Sequence, residues 1–103
     1  MDVDTAPADG SGAGYTPLMG AVINNQVELT NFLIDHGANV NAIAGDKNAP
    51  LLIAADEGNL ELVKLLVEKG AQTDHPNSEE KTALHIAEEE GYNEIVAYLK
   101  EHQ

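Results

Sequence analysis

The residues best suited to metal chemistry lie in the segment HIAEEEG, residues 85–91. If this segment is helical, His85, Glu88 and Glu89 share one side of the helix, because residues three and four apart are neighbours there. One imidazole and two carboxylates in that arrangement can bind a metal ion. The run from Glu88 to Glu90 has two other interpretations, namely a solvated helix end or a surface that attracts a basic partner.

Other motifs that would carry chemistry are missing from the sequence. His75 lies beside Asp74, which allows a transient metal contact but no more. Asp74, Pro76 and Ser78 lack the acid spacing and the glycine of a calcium-binding loop. The glycines of residues 10–14 belong to a leader rich in Gly, Ser, Ala and Asp, and they are not placed between a strand and a helix to hold phosphate. No serine or threonine lies in a nucleophile elbow. We therefore expect no enzyme activity, no cofactor and no resident metal.

Composition excludes several classes of partner. The chain has 103 residues, 18 acidic side chains against five basic ones, and a formal net charge of −13. Such a surface repels phosphate backbones and anionic membranes, so nucleic-acid and membrane binding are not expected. Aromatic residues make up only 4% of the chain, so a core must be built from Leu, Ile, Val and Ala. There is no cysteine, which excludes disulfides and thiolate metal sites.

No part of the sequence indicates a membrane span or a targeting signal. The start MDVDTAPADG has neither a basic region nor an apolar stretch, so it is not a signal peptide, although a signal already removed would leave no mark. The longest apolar run, residues 49–55, is far too short to cross a bilayer. We expect a cytoplasmic protein whose residues 1–10 form a flexible acidic tail.

A period of 33 residues organises the rest of the chain. The segments YTPLMGAV, NAPLLIAA and KTALHIAE align at this period, and so do VELTNFLIDHGA, LELVKLLVEKGA and NEIVAYLKEHQ. A fixed period of this length indicates stacked repeats, each too small to bury its own apolar face. The repeat domain is predicted to span residues 11–103, with repeats of about 11–43, 44–76 and 77–103.

Each repeat is predicted to form two short helices. Thr16 and Thr82 are placed to cap the first helix of their repeats, since a hydroxyl can accept a free backbone N–H there. Gly58 and Gly91, with Asn25 at the same place in the first repeat, can adopt the left-handed conformation that ends a helix. The predicted helices lie near 17–24, 27–35, 50–57, 60–68, 83–90 and 93–101.

The second helix of each repeat carries apolar residues at the i, i+3, i+4 spacing of one helix face. The residues are Leu29, Phe32 and Leu33 in the first repeat and Leu62, Leu65 and Leu66 in the second. Since the central repeat has neighbours on both sides, we expect Leu51, Ala54, Leu62 and Leu66 to be core residues.

This pattern resembles the ankyrin repeat, whose copies carry G-x-T-P-L-H-x-A, then a glycine, then E-[IVL]-V-x-x-L-L ending in G-A. The corresponding stretches are GYTPLMGA, APLLIAA with LELVKLLVEKGA, and KTALHIA with NEIVAYL. The resemblance covers roughly residues 11–103 and recurs three times in register. It implies an all-α ankyrin-repeat solenoid of three stacked helix-turn-helix repeats joined by hairpin-like loops.

The chain departs from the family pattern at several positions. The family's histidine is kept only as His85, since Met19 and Leu52 occupy its place in the first two repeats, and Ala49 stands where a capping threonine is usual. Gly20 replaces a larger apolar residue, so we expect a relaxed first repeat. Family members use this histidine to hydrogen-bond the neighbouring loop, which implies a buried, structural His85.

The resemblance also implies a function. Family members act mostly as protein-binding scaffolds, and their contact surface is usually the concave side formed by the loop tips and the first helices. Carried over to this sequence, the expected partner-binding residues are Tyr15, Ile23 and Asn24 in the first repeat, Ile43, Asp46, Asn48, Asp56 and Glu57 in the second, and Ser78, Glu79, Lys81, Glu89 and Glu90 in the third. We expect a monomeric, non-catalytic scaffold. Because so many of these residues are acidic, its partner is expected to be a protein with a basic surface.

Two alternatives remain open at this point. The chain could be a structural segment of a larger ankyrin-repeat protein, with the first repeat covered near Tyr15 and Ile23, in which case the isolated chain should self-associate. It could instead be a metal-binding protein that uses His75, His85 and nearby acids, which metal analysis would detect.

Overall fold

The computed structural model describes residues 15–45 and 47–102. The predicted tail, residues 1–10, and the predicted site residue Asp46 lie outside this part of the chain. The described residues form six helices and no strand. The helices are α1 Pro17–Ile23, α2 Val27–Asp35, α3 Pro50–Glu57, α4 Leu60–Glu68, α5 Ala83–Glu90 and α6 Asn93–Glu101. The prediction of an all-α fold is confirmed, and the bounds agree except that α1 ends one residue earlier than predicted.

The helices form a stack of three pairs. Within the repeats, α1 packs on α2, α3 on α4 and α5 on α6, while between repeats α3 packs against both α1 and α5. The outer helices follow the same order, with α4 touching both α2 and α6. The main helix contacts of the described residues therefore run within repeats and between adjacent repeats, as expected for a repeat solenoid. None of the helices in the described ranges has the length and apolar character that crossing a membrane requires.

The ends of the first helices follow the predicted capping chemistry. Thr16 Oγ1 accepts the backbone N–H of Met19 at 3.3 Å, and Thr82 Oγ1 accepts that of His85 at 3.4 Å. At each of these two sites the hydroxyl satisfies a donor that the helix leaves free. Both predicted caps are confirmed.

Gly58 ends α3 in the left-handed region, with φ +74°. A Cβ atom at this position would also lie 2.6 Å from the ring of Tyr92. The glycine is therefore required twice, once by its backbone conformation and once by the close approach of the next repeat. Tyr92 packs its ring here and lies with its hydroxyl 3.5 Å from the backbone oxygen of Asp56, to which it donates.

The core is centred on the second repeat. Leu62 and Leu66 of α4 and Ala54 of α3 are fully buried, and Leu51 is 3% exposed. These are the four core residues predicted from the register, and all four are confirmed. Their burial follows from having a helix pair on either side.

The apolar face of α2 is largely exposed, unlike the corresponding face of α4. Leu29 is 42% exposed and Phe32 is 55% exposed. Leu62 and Ile95, which follow Leu29 at intervals of 33 residues, are 0% and 2% exposed. The apolar spacing of α2 thus marks a helix face that stays exposed at Leu29 and Phe32. The physical reason is that α4 and α6 each pack against the outer helix of the repeat before them, whereas no described helix precedes the first repeat.

Candidate protein-binding groove

The inner helices and the loops that precede them line a groove of about 410 Å³ that runs along all three repeats. The loops are the first finger, residues 39–48, and the second finger, residues 72–81, together with the segment that leads into α1. The residues lining the groove are Tyr15, Ile23, Asn48, Leu52, Ile53, Asp56, Glu57, Asn77, Glu79, Lys81, Ile86, Glu89 and Glu90.

The groove brings together nine of the thirteen residues predicted to bind a partner. They are Tyr15, Ile23, Asn48, Asp56, Glu57, Glu79, Lys81, Glu89 and Glu90. Three others, Asn24, Ile43 and Ser78, are exposed but do not line it. Asp46 lies outside the described residues. Whether any of these residues contacts a partner stays a prediction.

Four lining residues were missed by the sequence reasoning. Three of them form the floor and are almost fully buried: Leu52 is 3% exposed, Ile53 is 5% and Ile86 is 9%. Each lies four positions before a groove acid, and the pairs are Leu52 with Asp56, Ile53 with Glu57, and Ile86 with Glu90. Since residues at i and i+4 share one side of a helix, the acids themselves were the signal that could have identified this floor.

Asn77, the fourth missed residue, shapes the second finger. Its Oδ1 accepts the backbone N–H of Glu79 at 2.8 Å and that of Lys81 at 3.1 Å. An asparagine that bonds the backbone two residues on makes a turn of its own. This turn carries Glu79 and Lys81 to the rim of the groove.

Lys81 is the sole cation among the lining residues, and it is already paired. Its Nζ lies 3.0 Å from Oε1 of Glu89, with both side chains partly exposed to solvent. The hydrogen bond and the charge of Glu89, together with the charge of Glu79, raise the pKa of Lys81 above its ordinary value of 10.5. Of the four other lining acids, Glu79 is near enough to act on the charge of Lys81, but within the described residues none of the four forms a salt bridge. Five carboxylates facing one lysine give the groove a net negative potential.

The described part of the first repeat contributes no acid to the lining of the groove, only Tyr15 and Ile23. Tyr15 is half-buried, and its hydroxyl oxygen accepts Nδ2 of Asn48 at 2.9 Å. This bond ties the entry to α1 to the first finger. Ile23, at the last turn of α1, is 41% exposed.

The histidines do not converge on a metal. His85 is exposed, and its Nδ1 lies 3.3 Å from the backbone N–H of Thr82 in a capping box. The implied role of His85 as a buried residue bonded to the neighbouring finger is therefore wrong. His75 bonds between fingers instead, with Nε2 2.9 Å from the backbone oxygen of Lys47. Within residues 15–45 and 47–102, no three His, Asp or Glu side chains are grouped as metal ligands.

Comparison with known families agrees with this architecture. The model of the family described as "Ankyrin repeats (3 copies)" matches residues 18–103. The chain therefore belongs to the ankyrin-repeat family. Members are generally protein–protein interaction modules and are typically not enzymes. A search of curated proteins finds no match.

Proposed function

We propose that this chain is a monomeric, non-catalytic binding module that holds a basic segment of another protein in its groove. The observation that carries the proposal is the grouping of five carboxylates along one concave surface, where the single lysine is already paired with Glu89. A concave wall of one charge sign concentrates its field and speeds the association of an oppositely charged partner.

The position of these acids argues against a role in stabilising the fold. Asp56 and Glu57 occupy the last turn of α3, and Glu89 and Glu90 occupy that of α5. Negative charge at a helix C-terminus opposes the helix dipole, at a typical cost of about 0.3–1 kcal/mol each. Local helix stability therefore does not account for these acids, and for those that line the groove a basic ligand supplies a reason.

A charge-reversal variant tests the proposal. The variant combines Glu57→Lys, Glu89→Lys and Glu90→Lys. Binding of a fluorescent oligolysine peptide to the native chain and to the variant is measured by anisotropy at several salt concentrations. The native chain should bind the peptide, and its affinity should fall as salt rises. The triple variant should lose on the order of tenfold or more in affinity without a lower melting temperature.

A matched control separates the groove from overall charge. Glu68, Glu88 and Glu101 are exposed, lie in the last turns of their helices and do not line the groove. Changing these three to lysine alters the net charge by the same amount as the groove variant. The control should keep most of the affinity of the native chain. Equal losses in the two triple variants would mean that only total charge matters, and the proposed binding groove would then be wrong.

A second candidate function is supported by the exposed face of α2. Leu29 and Phe32 continue the surface through which the later repeats stack, which favours a structural segment whose first repeat is normally covered. Sedimentation at increasing concentration distinguishes the two. The first proposal expects a monomer, whereas the second expects association that a combined Leu29→Ser and Phe32→Ser variant abolishes. A native chain that stays monomeric throughout would remove the support for this second candidate.

A further inference from the structure

The chemistry of the groove changes from one end of the stack to the other. Ile23 in the first repeat occupies the position that Asp56 holds in the second and Glu89 in the third, at intervals of 33 residues. All three line the groove. A segment lying along the groove would therefore meet an aliphatic side chain at one end and carboxylates along the rest.

The floor of the groove also changes, and it leaves space at the same end. Ile53 and Ile86 fill the floor in the second and third repeats, whereas Gly20 occupies the equivalent position in α1. A Cβ atom added to Gly20 would meet nothing within 4 Å. The first repeat thus lacks the side chain that fills this position in its neighbours, and the exposed Ile23 lies one helical turn away on the same side of α1.

We infer that the groove selects a basic segment that carries one bulky apolar residue at its end, seated beside Gly20 and Ile23. This inference rests on the proposed function and adds the order of residues in the partner. The apolar side chain occupies the space above Gly20, and the basic side chains pair with the acids of the second and third repeats. Burial of the apolar side chain of the partner stabilises the complex. The distribution of charge along the groove determines which end of the segment lies beside Gly20.

The dimensions of the stack give the spacing of the residues. Packed helices lie roughly 8–10 Å apart, and an extended chain rises about 3.3 Å per residue. One repeat therefore corresponds to about three residues of an extended partner. The preferred segment has an apolar residue followed, at intervals of about three, by two lysines or arginines, in either chain direction.

Three peptides of identical composition test this order. Each peptide carries one leucine and two lysines at intervals of about three residues. In the first peptide the leucine precedes both lysines, in the second it follows them, and in the third it lies between them. Affinities are measured by titration calorimetry at low salt. At least one of the end-placed peptides should bind about 10-fold more tightly than the peptide with the central leucine, because only an end-placed leucine reaches Gly20 while both lysines meet acids.

Two variants of the protein locate the apolar end. Gly20→Ile supplies the side chain that the later repeats carry, and it should remove the preference for an end-placed leucine without lowering the melting temperature. Ile23→Asp copies the residue of the second repeat and should have the same effect on the preference. The control is Phe32→Asp, which changes an exposed apolar residue that does not line the groove and should leave the preference intact.

The possible results distinguish this inference from the function on which it rests. Equal, salt-sensitive binding of all three peptides would overturn the apolar anchor but leave the acidic groove in place. A preference that survives in both Gly20→Ile and Ile23→Asp would place the leucine elsewhere and also overturn the inference. Peptide binding that is undiminished by the groove charge reversal would instead overturn the proposed function.

Discussion

Replacing leucine by alanine at Leu62 and at Leu29 removes the same isopropyl group from equivalent positions of adjacent repeats. Leu62 is fully buried and Leu29 is 42% exposed. The two substitutions therefore differ chiefly in whether a neighbouring repeat covers the side chain. This makes them a matched pair for testing how the stack is stabilised.

The expected magnitudes follow from burial. Leu62→Ala loses the whole transfer free energy of the removed atoms and leaves a cavity, at a cost of about 2–5 kcal/mol. Leu29→Ala loses only the buried part, roughly three fifths of about 2.4 kcal/mol, and solvent fills the space without a cavity. The cost at Leu29 should therefore be about 1–1.5 kcal/mol. Since small domains are stable by only about 5–15 kcal/mol, Leu62→Ala should remove a large fraction of the stability of the chain.

Urea denaturation followed by far-ultraviolet circular dichroism measures both costs. With a slope of about 1 kcal/mol per molar urea, typical of a small domain, the midpoints of the two variants should differ by at least about 0.5 M. The measurement is made at low protein concentration, where association does not contribute. Equal losses at the two positions would show that the α2 face is covered in solution, and they would refute the account of the exposed first repeat.

Further predictions concern the two glycines and the groove lysine. Gly20→Ala should raise the free energy of unfolding by up to about 1 kcal/mol, because it improves helix propensity where there is open space; a destabilised variant in thermal melts would contradict this. Gly58→Ala should cost about 1–3 kcal/mol in the same melts, and less in a Tyr92→Ala background, where the close ring is absent. The Lys81 amine should titrate above 10.5 by NMR and return towards 10.5 in Glu89→Gln. Any stability from this pair is present below pH 10.5 and is lost as pH rises through the raised pKa; an unchanged titration in Glu89→Gln would exclude the pairing in solution.

Most of the fold could be predicted because local signals and the repeat agree. Thr16, Thr82, Gly58 and Gly91 mark helix ends by capping and by left-handed backbone conformation, and both effects depend on neighbouring residues alone. The 33-residue period then places equivalent helices side by side without any knowledge of distant contacts. The bounds of α2 to α6 followed from these two kinds of information.

The degree of burial in the first repeat could not be predicted in the same way. The spacing of Leu29 and Phe32 correctly indicates a helix with an apolar face, but periodicity does not say whether another element covers that face. His85 illustrates a related limit. The resemblance placed it correctly at the start of α5, yet its side chain bonds Thr82, while His75 forms the contact between fingers. The burial of α2 and the bond of His75 to the first finger depend on contacts between repeats, which a single sequence does not display, whereas the bond between His85 and Thr82 is a local capping contact.

The three consecutive glutamates of α5 show how the groove divides residues that the sequence leaves together. Successive helical residues point about 100° apart, so three neighbours cannot share one surface. Glu89 and Glu90 line the groove, whereas Glu88 is exposed outside it. Only Glu89 has a cation close by, since Lys81 reaches it from the second finger. This unequal placement follows from helix geometry and would be the same for any function. What the structure adds is that two of the three acids share a groove with Asp56 and Glu57 of α3. On the proposed function, a basic ligand rather than solvent is the reason for that charge.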